Sequence, residues 1–73
     1  NVKEMLQCDL DLEIDAISDL QEAISHADSI RDYVSRDLFN SILSSEEGHV
    51  DWLETQITQI EKMGIENFIQ LQS

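Results

Sequence analysis

The sequence predicts an all-α fold in which two long helices form an antiparallel pair and a short helix follows at the carboxyl end. The 73 residues contain no proline and only two glycines, Gly48 and Gly64, so few positions interrupt a helix. Apolar residues recur at spacings of three, four and seven, as they do on one face of an α-helix. At this length we expect at most one small domain, near the limit at which a single core is stable without a partner.

The first helix is predicted over residues 2–30. Asn1 is a residue type that caps helix amino termini well. The main apolar stripe of this helix consists of Leu6, Leu10, Ile17, Leu20 and Ile24. A second set, Met5, Leu12, Ala16 and Ala23, widens the stripe. A stripe of that width indicates that the helix packs against more than one neighbour.

The second helix is predicted over residues 32–63, with Asp32 as its cap and the helical turns beginning near Tyr33. Its stripe consists of Phe39, Ile42, Leu53, Ile57 and Ile60. Lys62 in the last turn and Gly64 just beyond it are typical of a helix carboxyl terminus. The short connection before Asp32 favours an antiparallel hairpin. A short third helix is predicted over residues 65–72, where Ile65, Phe68, Ile69 and Leu71 are apolar.

The composition restricts the classes of partner. A formal charge of −12, from 16 acidic residues against four basic ones, repels a nucleic-acid backbone and favours cations, although a solvated acidic surface explains the same charge. Cys8 is the single cysteine and cannot form an internal disulfide, so we expect it to be a surface or interface thiol. No membrane-spanning or leader segment is evident, and we expect a cytoplasmic protein with no membrane role.

Three ionisable residues interrupt the apolar stripes. Glu13 takes a core position on the first helix, and Glu46 and His49 take successive core positions, i and i+3, on the second. A Glu-x-x-His pair facing a Glu from a neighbouring helix is half of the ligand set of a binuclear site in a helix bundle. Carboxylate-rich ligation suits iron or manganese better than structural zinc, although manganese or zinc held without redox turnover also fits. The alternative is that Glu46 and His49 bond to each other in a wet groove.

Three segments, MLQCDLDLEIDAI, ADSIRDYVSRDL and SEEGHVDWLETQI, together resemble the carboxyl-terminal half of the bacterioferritins, within the ferritin-like di-iron family. The resemblance implies half of a ferritin-like four-helix bundle. It also implies that Glu13 is a terminal carboxylate ligand, Glu46 a bridging carboxylate and His49 a terminal imidazole. These would be the catalytic and metal-binding residues of a ferroxidase centre, which oxidises Fe(II) with dioxygen or peroxide for storage in a shell of 24 subunits.

The same resemblance gives weaker expectations for the neighbouring residues. Asp51 matches a position near an entry pore, although an ordinary exposed acid is as good an interpretation. Trp52 is close to the site in sequence and is expected to be a packing residue rather than a redox neighbour. His26, near the end of the first helix, is expected to be a surface residue.

The segments that resemble the family do not include its first two long helices. With them the remaining ligands and the haem-ligating methionine are missing, and Met5 and Met63 do not match that methionine. Haem is therefore expected, if at all, on another chain of the assembly. Our leading expectation is that the chain is one piece of a ferritin that is cleaved or encoded in two parts. A partner chain would then carry the missing helices. Two alternatives stay open: a second copy that supplies Glu13, Glu46 and His49 again, and a structural hairpin that docks without redox activity.

Overall fold

A computed structural model describes residues 1–72 and consists of three α-helices. They are α1 (Val2–Ser29), α2 (Tyr33–Met63) and α3 (Ile65–Gln72). The predicted all-α fold is confirmed. The pair α1 and α2 is antiparallel, because Lys3 near the start of α1 lies 3.3 Å from Glu61 near the end of α2. None of the described helices is both long and apolar enough to cross a membrane.

The turn between the long helices is longer than the predicted bounds allow, because three residues, 30–32, separate the helices instead of one. Helix α1 ends at Ser29, one residue before the predicted end, because Arg31 adopts a left-handed backbone (φ 62°) that reverses the chain. The Asp32 N–H then donates to the Ala27 carbonyl at 2.8 Å and closes the turn. Asp32 itself lies just outside α2 as its N-cap, so the helix begins at Tyr33 rather than at residue 32.

Caps fix the other helix ends. The Asn1 side chain accepts a hydrogen bond from the Glu4 N–H at 2.9 Å, and the Glu4 side chain returns to the amino end as a capping box. Gly64 ends α2 with φ 82°, a backbone conformation that side-chain-bearing residues rarely adopt. The chain then continues into α3, which contacts α2 and buries Phe68.

The hairpin has a narrow core. Leu10, Leu53 and Ile57 are buried together, and Leu6 and Val50 pack against them. The molecule measures 51 × 17 × 15 Å, and its radius of gyration of 16.2 Å exceeds the roughly 11 Å of a compact domain of this length. Each long helix therefore has a long neighbour on one side only.

The predicted apolar stripes are wider than the surface that the hairpin buries. Ile42, which we expected in the core, is 40% exposed, and Met5 and Leu12 are exposed by about two thirds. The physical reason is that two helices can cover only one side of each other, whereas the stripes extend around to a second side. A large part of the apolar surface encoded in the sequence thus has no partner within the described hairpin.

The Asp32 cap makes the start of α2 sensitive to pH. Hydrogen bonds from Ser35 lower the pKa of the Asp32 carboxyl below its ordinary value. The stabilisation is therefore complete above that ordinary value and is lost as the pH falls through the lower pKa of the folded state. Far-ultraviolet circular dichroism between about pH 6 and about pH 2 is expected to show Asp32→Asn losing less helicity than the original chain. A helicity difference that is constant across this range would contradict the prediction.

Candidate metal centre

The three ionisable residues predicted from the sequence lie together near the middle of the hairpin. Glu13 on α1 faces Glu46 and His49 on α2, and one ligand atom from each lies within 4.8 Å of the others. Glu46 and His49 are brought together by the helical repeat, which places i and i+3 on adjacent turns of one face. Glu13 is brought opposite them by the antiparallel packing of α1 against α2.

The contacts within this group leave it incomplete. The His49 Nδ1 and Glu13 Oε1 atoms are 3.6 Å apart, which is too long for a hydrogen bond. The second oxygen of Glu13, Oε2, is buried and has no hydrogen-bond partner among the described residues. A buried polar atom without a partner costs free energy, and more so when its group is charged. A cation is the kind of ligand that would satisfy this oxygen.

The donor set fits a divalent metal ion. Two carboxylates and a neutral imidazole offer two negative charges, which balance one divalent cation, and this mixture suits iron or manganese. The alternative in which Glu46 and His49 bond to each other has no support, because no hydrogen bond joins them within the part of the chain that is described. The side chain of His49 is 48% exposed, against 23% for Glu13, so the group opens toward one side of the hairpin.

The other residues singled out from the sequence lie outside this group. Asp51 is exposed, and its backbone carbonyl accepts a hydrogen bond from the Thr55 hydroxyl at 2.8 Å. We expected Trp52 to be a packing residue, and this expectation is wrong for the hairpin, because Trp52 is 55% exposed. Its ring centroid lies 6.2 Å from that of His49. Cys8 and His26 are both exposed. Neither is part of the metal-binding group.

Sequence reasoning missed the ion pairs that align the two helices. Besides Lys3 and Glu61, Arg36 lies 3.1 Å from Asp28 and so links the start of α2 to the end of α1. The Asp28 carboxylate raises the pKa of Arg36 further above its ordinary value, so the guanidinium stays charged. The sequence could have indicated these ion pairs, because it places opposite charges at the helix ends that an antiparallel hairpin brings together. These pairs help to set the register that places Glu13 opposite His49.

The fold and the site geometry agree with the comparisons to known proteins. The family model for the ferritin-like domain matches residues 1–63. The chain therefore belongs to the ferritin-like family, and the resemblance stated from the sequence is confirmed.

Within this family, the chain is similar to bacterioferritins. It is 46% identical over 71 residues to a bacterioferritin of Brucella melitensis, a match that covers 97% of this chain and 44% of that protein. It is 49% identical over 72 residues to a bacterial ferritin of Synechocystis, covering 97% and 46%, respectively. A bacterial ferritin of Pseudomonas aeruginosa is 42% identical over 72 residues, covering 97% and 47%. The chain thus spans less than half the length of these relatives.

Proposed function

We propose that this chain acts in iron storage and detoxification by contributing half of the ligands of a di-iron ferroxidase centre. The observation that carries the proposal is the convergence of Glu13, Glu46 and His49 around a buried, unpartnered carboxylate oxygen. Membership of the ferritin-like family supports the same chemistry. In this proposal Glu13 is a terminal carboxylate ligand, Glu46 bridges the two metal positions and His49 is a terminal imidazole ligand.

Fe(II) is the substrate of the proposed reaction. Two Fe(II) ions each lose one electron, and dioxygen takes both electrons and two protons to form hydrogen peroxide. With peroxide as the oxidant, two electrons and two protons give two molecules of water. The chain's contribution is to hold both ions close together, because a two-electron transfer needs both donors in place. The carboxylates of Glu13 and Glu46 offset the charge that the ions gain on oxidation.

The proposal requires a second pair of helices to complete the bundle. The hairpin supplies one Glu and one Glu-x-x-His pair, and a binuclear site of this class uses each of these twice. By resemblance, we further propose that completed bundles assemble in the cytoplasm as a shell of 24 subunits around the iron mineral. Any haem of that assembly is assigned to another chain.

The proposal is tested by measuring Fe(II) oxidation in air-saturated buffer through the absorbance of Fe(III). The chain is assayed alone and after mixing with the segment that the Brucella melitensis relative has beyond its match to this chain. We expect at least one of these samples to oxidise Fe(II) faster than buffer, with a rate proportional to the chain concentration. Rates equal to that of buffer in both samples would overturn the proposed function.

A further inference from the structure

His49 and Trp52 form a ring contact on α2, immediately beside the metal-binding group. Their ring centroids are 6.2 Å apart and their planes are inclined by 32°. We propose that Trp52 is a positioning residue, whose indole holds the imidazole of His49 in the orientation that ligates metal. The inference rests on the proposed function, because it concerns a ligand of the proposed centre, and it assigns no redox role to Trp52.

The geometry of the helix directs Trp52 toward His49. Residues at i and i+3 lie on adjacent turns of one helix face. Long side chains in an α-helix point back toward its amino terminus and cover the turn that precedes them. Because Trp52 follows His49 by three residues, its indole covers His49 rather than the turn beyond. The contact lies within α2 alone, so it does not depend on which other elements complete the bundle.

No hydrogen bond holds the imidazole of His49. Its Nδ1 atom lies 3.6 Å from the Glu13 Oε1 atom, beyond hydrogen-bond range, and neither ring nitrogen has another partner among the described residues. A histidine ligand is normally oriented by a hydrogen bond at the ring nitrogen that does not bind metal. Since that support is missing within the described part of the chain, the Trp52 ring is the contact that restricts the imidazole.

A ring contact of this kind can select one orientation of the imidazole. A histidine in a helix chooses mainly between two χ1 rotamers, at about 180° and about −60°. The attraction between two aromatic rings at this separation is enough to shift such an equilibrium about 2- to 10-fold. The rotamer that contacts Trp52 is also the one that directs Nδ1 at Glu13. A ligand that is oriented before binding loses less freedom when the metal binds, so Trp52 should raise the metal affinity.

Co(II) binding tests the proposal. Co(II) is a divalent ion that carboxylates and imidazole ligate, and its binding transfers no electron, so the affinity reports on ligand geometry. The dissociation constant is measured by calorimetric titration of the chain alone and after mixing with the Brucella melitensis segment. Trp52→Ala is expected to raise it about 10-fold, the lower end of the loss for groups that orient a metal ligand. Trp52→Phe keeps an aromatic ring and is expected to stay within about threefold.

Tyr33→Ala is the matched control. Tyr33 is another half-exposed aromatic residue of α2, 48% exposed against 55% for Trp52, but it lies at the start of the helix, far from the metal-binding group. Its replacement is expected to leave the Co(II) dissociation constant unchanged. Equal losses of affinity in Tyr33→Ala and Trp52→Ala would overturn the proposal, and so would a Trp52→Phe variant that binds no better than Trp52→Ala.

A second measurement needs no metal. In the metal-free chain, three-bond couplings measured by NMR give the χ1 populations of His49. We expect one rotamer to dominate in the original chain and in Trp52→Phe, and two rotamers to be populated in Trp52→Ala. Trp52 is half exposed and Ala favours helices, so each variant should keep its helicity, which circular dichroism checks. Identical His49 populations in all three chains would overturn the proposal.

Glu46→Ala separates the failure of this inference from the failure of the proposed function. It removes an assigned ligand, so it should weaken Co(II) binding whether or not Trp52 positions His49. If Glu46→Ala weakens binding and Trp52→Ala does not, the inference fails and the assigned site stands. If neither variant changes the affinity, the metal binds elsewhere and both fail. If Trp52→Ala weakens Co(II) binding but no sample oxidises Fe(II), the positioning role stands and the ferroxidase function fails.

Discussion

Replacing Glu46 by Ala is expected to lower the rate of Fe(II) oxidation at least about 100-fold, because changes to the groups that merely orient a metal ligand already cost 10- to 100-fold. Glu46 is the residue assigned to both metal positions, so its loss affects each of them. The helix itself should persist, since Ala has the highest helix propensity and Glu46 is only partly buried. The measurement is the initial oxidation rate in the sample that is active in the test of the proposed function, with circular dichroism as the check on helicity.

Glu47→Ala is the matched control for this prediction. Glu47 is the adjacent acid on α2, is exposed and lies outside the metal-binding group, so the substitution removes the same charge at nearly the same place. Its oxidation rate is expected to stay within about twofold of the original, because exposed charges are screened by solvent and salt. If the two variants lost activity equally, the acidity of the surface rather than the three-residue group would explain the chemistry, and the site assignment would be wrong.

The local features of the fold were predictable because their causes are local. Asn1, Asp32 and Gly64 mark helix ends through the backbone groups of their own neighbours, and the structure places a cap at each of them. The one-residue differences at the turn arise from the left-handed backbone of Arg31, a residue whose type gives no warning of it. The pairing of Glu46 with His49 on one face was equally local, since it follows from the helical repeat alone.

The non-local features were only partly predictable. The position of Glu13 opposite His49 depends on the register of two helices, which the packing of Leu10 against Leu53 and the ion pairs at the helix ends establish together. The apolar stripes in the sequence do not predict which of their residues this hairpin buries. A helix in a four-helix bundle packs against two neighbours, and its apolar stripe is wide enough for both. In the hairpin each long helix has one long neighbour, so a stripe residue such as Ile42 stays exposed.

The metal centre is expected to cost stability when it holds no metal, and Glu13→Leu is expected to reveal this cost. The buried Oε2 atom of Glu13 lacks a partner, and such an atom destabilises a fold by about 1–3 kcal/mol. Leucine is apolar, similar in size and favourable in a helix. Without metal, the midpoint of thermal unfolding should therefore rise by several degrees, at about 4–8 °C per kcal/mol for a chain of this length. Circular dichroism during heating measures it.

The sign of the effect should reverse when a divalent cation is present. At a Co(II) concentration about 100 times its dissociation constant, binding stabilises the original chain by about 2.7 kcal/mol, whereas Glu13→Leu lacks a ligand and should gain little. Glu22→Leu is the control, since Glu22 is an exposed acid of the same helix and lies outside the metal-binding group. Its unfolding midpoint should respond to Co(II) as the original does. A residue kept for metal ligation destabilises the empty site and stabilises only the filled one. If Glu13→Leu were less stable than the original chain without metal, Glu13 would serve the fold rather than a metal ion.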